Sequence, residues 1–131
     1  MSVVLELRGR QLVAGRATGE ALTLDAISFY GDVDPRTGVM QDGRRVASRV
    51  IVARRPRGST VGSYIIYALK VNGVAPAAIV MSRVDPIIVA GCVLAGVPLV
   101  DSVPEEALSK VRDGDVVELD GAGTVRVIRR A

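Results

Sequence analysis

The residues best equipped for chemistry form one run, Arg54-Arg55-Pro56-Arg57-Gly58-Ser59-Thr60-Val61-Gly62-Ser63. The pattern places it between a strand and a helix. Gly58 and Gly62 then allow close backbone approach, and the N–H groups of the helix's first turn, which have no partner inside the helix, point at whatever lies ahead of it. Arg54, Arg55 and Arg57 add fixed positive charge suited to a carboxylate or a phosphate, and Ser59, Thr60 and Ser63 add hydroxyls. The run is a candidate anion site. It is not a nucleotide-binding P-loop, because only Ser59, Thr60 and Val61 separate the two glycines and no Lys follows them. The same residues also read without any ligand, with Ser59 or Thr60 as the helix N-cap and the arginines on a solvated edge.

The rest of the composition narrows the chemistry. The chain has 131 residues, no histidine and a single cysteine, Cys92. A His/Cys metal site cannot be assembled from it, and catalytic dyads or triads that use His as base are excluded. Cys92 lies in an apolar segment and reads as a small buried hydrophobe. With 49% hydrophobic residues and 24% charged residues the chain suits one globular domain over residues 1–131. Its formal charge of +3 gives no basic tail. The six arginines between residues 44 and 57 do raise an RNA-binding face, with Phe29 or Tyr30 stacking bases, but no RNA module is recognisable and aromatic residues make up only 3%. The N-terminal segment carries charge where a signal peptide would be apolar, and the apolar run at residues 87–100 is broken by Gly91, Gly96 and Pro98. A cytoplasmic location is expected, with no membrane contact.

Several elements must position the run. Strands are predicted at residues 3–7, 12–17 and 20–24, with Gly9 and Gly19 at the breaks. Residues 29–38 are dense in turn formers and read as a loop lying over the core. A strand at 46–53 leads into the glycine turn, and a helix at 63–70 stops at Asn72-Gly73. A buried strand at 77–81, a helix at 86–94 opened by Pro86 and a buried strand at 98–101 follow. Asp85 and Asp101 fall at element ends, where capping is the usual role of an aspartate. A short helix at 104–111, with Ser102 as candidate cap, precedes a closing hairpin of strands 115–119 and 124–128. The class is α/β with a mixed sheet.

The run from Arg57 to Tyr64, together with Gly19-Glu20-Ala21-Leu22, residues 28–38, Asp85-Pro86-Ile87-Ile88 and residues 95–101, resembles the aconitase X swivel-domain family over nearly the whole chain. That resemblance implies a swivelling β/β/α domain that docks, as a small subunit, on a separate large catalytic subunit holding a [4Fe-4S] cluster. It implies a hydro-lyase of isoprenoid synthesis acting on a phosphorylated hydroxy acid, (R)-5-phosphomevalonate, to give trans-anhydromevalonate 5-phosphate. The cluster iron would act on the leaving hydroxyl, and the position matching the family's serine base is Ser59. Arg57, Gly58 and Thr60 are then candidates, from local physics, for holding the substrate carboxylate or phosphate. Thr60-Val61 favours the phosphomevalonate branch over relatives acting on cis-3-hydroxyproline or other hydroxy acids. A non-catalytic module binding RNA or another anion is the remaining alternative.

Overall fold

The computed structural model describes residues 2–58 and 61–130. Among them the order is β1 (Ser2–Arg8), β2 (Arg10–Val13), β3 (Ala17–Ile27), α1 (Phe29–Asp32), β4 (Val50–Pro56), α2 (Gly62–Val71), β5 (Ala78–Met81), α3 (Pro86–Ala95), β6 (Leu99–Asp101), α4 (Glu105–Leu108), β7 (Val116–Leu119) and β8 (Thr124–Arg129). The strands run β1-β8-β7-β3-β4-β5-β6-β2. Only Gly9 separates β1 from β2, yet they stand at opposite ends of that order, so the sheet must fold back until its two ends meet.

The long strand β3 makes the fold. Its residues 17–20 pair antiparallel with β7, and its residues 21–27 pair parallel with β4. An antiparallel half and a parallel half thus share one strand. Strand alternation then builds two cores. Ile51, Ala53, Ile79, Met81 and Leu99 face α2 and α3, packing with Ile66, Leu69, Ile88 and Cys92. Their neighbours Val50, Val52, Ala78, Val80 and Val100 face the antiparallel half, packing with Val117, Leu119, Val125 and Val127. Because both faces are covered, these strands are continuous apolar runs. The result is the mixed-sheet β/β/α arrangement.

Several details depart from the sequence expectations, beginning with the strand expected at residues 12–17, where β2 ends at Val13 and β3 starts only at Ala17. Gly19 is not a break but lies inside β3, where a Cβ would come within 2.6 Å of the Ser48 carbonyl oxygen. The strand expected at 46–53 starts at Val50, since Ser48 takes a positive φ of 59° and Val46 is buried in the connection instead. Part of the expected loop is a helical turn, α1. Finally, α4 is four residues long, and Pro104, not Ser102, stands at its N-cap.

Candidate functional site

Strands β4, β5 and β6 are parallel, so their carboxyl ends share one edge, and α2 and α3 start there. Open parallel sheets place ligands at that edge. The turn after β4 leaves from it. The Arg57 N–H donates to the Ile27 carbonyl at 2.9 Å, carrying the β3–β4 pairing one step past Pro56. Gly58 has φ of 63°, and among the described residues nothing lies within 4 Å of where a Cβ would sit, so the position calls for a left-handed backbone. The N-cap position of α2 belongs to Val61. Behind it, a Cβ at Gly62 would lie 3.3 Å from the Ile87 side chain at the start of α3. The Asp85 carboxylate caps α3, accepting the Ile88 N–H at 2.8 Å. A narrow crevice of about 10 Å³ lies here, bordered by Ser28, Pro56, Gly58, Gly62, Asp85 and Ile87.

On the other side of the turn stands α1. Phe29 is buried in the helix-facing core and Tyr30 is 65% exposed. Asp32 Oδ2 accepts the Ser28 N–H at 3.0 Å, and Asp32 Oδ1 accepts a hydrogen bond from Arg57 Nη2. Gly31 lies beside the same guanidinium.

Arg57 and Gly58 therefore both lie at the carboxyl edge of the parallel strands. Ser59 and Thr60, assigned above as base and as substrate-binding residue, lie outside the described residues. Arg54 and Arg55 share the one carboxylate of Asp25 on β3, at 3.6 and 3.1 Å, which offsets one of their two charges. Asp32 was missed by the sequence reading, which took it for one more turn former. Its partner is 25 residues away, and a four-residue helix containing Gly31 has no periodicity to reveal it.

The arginines raised above as an RNA-binding face are largely engaged by groups of this chain. Of the six arginines, Arg44 binds Asp42 and Asp113, Arg49 donates to the Ala21 carbonyl, Arg54 and Arg55 share Asp25, and Arg57 holds Asp32. Phe29 is too buried to stack on a base. A cluster does not fit this chain either. Iron–sulfur clusters are held by several Cys thiolates. Here burial pushes the Cys92 thiol up to about 12, and among the described residues no three His, Cys, Asp or Glu side chains are grouped to hold a metal.

A family model described as the aconitase X swivel domain matches residues 6–127. The phosphomevalonate dehydratase small subunit of Aeropyrum pernix is 56% identical over 125 residues, covering 95% of each chain. The protein of that name from Methanocella arvoryzae is 41% identical over 128 residues, covering 92% of this chain and 97% of its own. The crystal structure of Thermococcus kodakaraensis aconitase X in its holo-form superposes with a TM-score of 0.87 at 38% identity, covering 95% of this chain and 99% of that one.

Proposed function

The chain belongs to the aconitase X swivel-domain family, and on that premise we propose that it is the small subunit of a two-chain hydro-lyase that dehydrates (R)-5-phosphomevalonate to trans-anhydromevalonate 5-phosphate. The observation that carries this reading is the identity of 56% over 95% of both chains with a relative named for that activity. The site agrees with it: Arg57 and the turn after β4 stand at the sheet edge where α/β folds take small anions.

The larger partner supplies the [4Fe-4S] cluster, since this chain lacks the donors, and no step performed here passes through it. Ser59 contributes the base. As the alkoxide, having first given up its own proton, its oxygen takes the proton from the carbon next to the one bearing the leaving hydroxyl and returns to the hydroxyl form. The electron pair of that C–H bond becomes the new C=C bond, and the departing hydroxide takes up one proton, equal to the one Ser59 released on forming its alkoxide, and leaves as water. An alkoxide is costly in water, and without histidine the compensation falls to Arg57 and to the N-terminus of α2, both strengthened once docking of the partner excludes solvent. Arg57, Gly58 and Thr60 hold the carboxylate or phosphate. Tyr30 and Tyr64, 65% and 72% exposed on the two helices bordering the turn, give the large subunit amphipathic side chains to cover. The domain acts as one unit over residues 1–131, in the cytoplasm; no helix among the described residues is long and apolar enough to cross a membrane.

The test is an anaerobic dehydration assay on the chain copurified with its large subunit, each chain alone serving as control. Activity is expected only in the pair, and Ser59→Ala should lower turnover by about two orders of magnitude or more while assembly and cluster absorbance persist. Near-normal turnover of that variant rejects the base. An active cluster-bearing pair that prefers 3-hydroxyproline or another hydroxy acid to 5-phosphomevalonate rejects the substrate.

A further inference from the structure

Arg57 reaches the candidate anion site on a flexible side chain, yet one carboxylate fixes it. We infer that Asp32 is a positioning residue that holds the Arg57 guanidinium in place for the substrate anion, a role that rests on the reading of Arg57 as an anion-binding residue. The two oxygens of Asp32 divide the work. Oδ2 accepts the Ser28 N–H at 3.0 Å while the Asp32 N–H donates to the Ser28 carbonyl at 2.9 Å, so the side chain is locked onto its own helical turn. Oδ1 is left for Arg57 Nη2. The turn is anchored from behind as well, because Gln41 donates its backbone N–H to the Asp32 carbonyl at 3.1 Å and its side-chain amide to the Gly31 carbonyl at 2.6 Å.

Exposure shows which partner is the support. The Asp32 side chain is 17% exposed and that of Arg57 is 54% exposed. A shielded carboxylate carried by a braced turn thus holds a guanidinium whose side chain stays more than half exposed. A guanidinium presents a rigid planar fork, so fixing one nitrogen fixes the direction of the rest. An arginine ordered in advance loses less freedom when the anion arrives. The Asp25 pairs lack this arrangement. Asp25 is 61% exposed and is shared between Arg54 and Arg55 at looser distances, the geometry of surface pairs that order little.

A double-mutant cycle on the assembled two-chain enzyme with 5-phosphomevalonate tests the assignment. Asp32→Asn keeps the shape and can still accept the Ser28 N–H. In the otherwise unchanged enzyme it should raise KM by about tenfold with kcat within about twofold, because an interaction made equally in ground and transition states is weakened. Placed on Arg57→Ala it should change KM by less than about twofold, since the group it acts through is gone. An equal rise in both backgrounds overturns the proposal, as does an unchanged KM for Asp32→Asn where Arg57→Ala raises it. A purely structural role would instead lower the unfolding midpoint and the yield of complex without moving KM. If Arg57→Ala itself leaves KM unchanged, the anion-site reading has failed and the positioning role falls with it, an outcome distinct from the previous two. Should Asp32→Asn prevent assembly, the same cycle is run with Asp32→Glu, which keeps the charge and displaces the carboxylate by one methylene, and the same comparison decides.

Discussion

Asp85 accepts the N–H of Ile88 at 2.8 Å and precedes Pro86 at the first position of α3, a helix that starts beside the Arg57 turn. Asp101 occupies an end position too, and the sequence suggests the same capping role. It does something else: both its oxygens receive the Arg10 guanidinium, at 3.0 and 2.9 Å, clamping β2 onto β6 across 91 residues of chain. A cap is a contact over three residues and can be read from the Asp-Pro pair. A cross-strand ion pair is invisible until the topology puts Arg10 opposite Asp101. Replacing Asp85 by Ala leaves the Ile88 N–H without its side-chain acceptor, and the loss of an N-cap costs about 1 kcal/mol. Urea unfolding of the full chain should show that loss with an unchanged slope. A midpoint equal to that of the parent would mean that Pro86 alone fixes the start of α3.

Helices α2 and α3 meet at Gly91. A Cβ there would come within 2.7 Å of the Ile66 Cδ1 and 3.0 Å of the Ser63 Cα. The Ile66 tip can move, but the Ser63 backbone, at the second position of α2, cannot do so without shifting the start of that helix. Gly91→Val should therefore destabilise by about 2 kcal/mol or more through overpacking, measured by chemical denaturation. It should also reduce kcat/KM of the assembled enzyme, because α2 carries the turn. Unchanged stability and activity would mean that the helix pair adjusts freely. The boundaries of α2 and α3 were legible within one or two residues, because proline, the glycine stops and the apolar runs mark them locally. The double role of β3 was not. Gly19, Glu20, Thr23 and Asp25 interrupt its apolar pattern, since one half faces a second sheet and the other a helix layer, and no single period describes both. For the site, the glycine turn and Arg57 could be read in advance, whereas Asp32 depended on a tertiary contact.

Across the whole molecule, carboxylates tie the antiparallel half to the rest. Asp113 accepts the Thr23 N–H of β3 at 2.6 Å and pairs with Arg44 at 3.0 Å, joining the segment after α1 to the approach to β7. Asp115 is the most enclosed of these, its side chain 5% exposed. It receives Arg129 of β8 through two bonds of 2.9 and 2.8 Å and the Arg112 N–H at 2.9 Å, while its own carbonyl accepts the Ala21 N–H. The Arg129 hydrogen bonds hold the Asp115 carboxyl below its ordinary value of 3.8, against the opposing effect of burial. A folded-state value below the unfolded one means that the unfolded chain binds the proton more readily. The stabilisation is complete above the unfolded value and is lost as pH falls through the folded one. Stability should thus be flat near neutrality and drop below about pH 4. Asp115→Asn should be less stable than the parent by about 2 kcal/mol at pH 7, the scale of hydrogen bonds to a charged group. Urea midpoints for both proteins from pH 7 to pH 2.5 should converge as the acid removes from the parent what the substitution has already removed from the variant. A gap that stays constant down to pH 2.5 would mean that the ionised form of Asp115 contributes nothing that the amide does not.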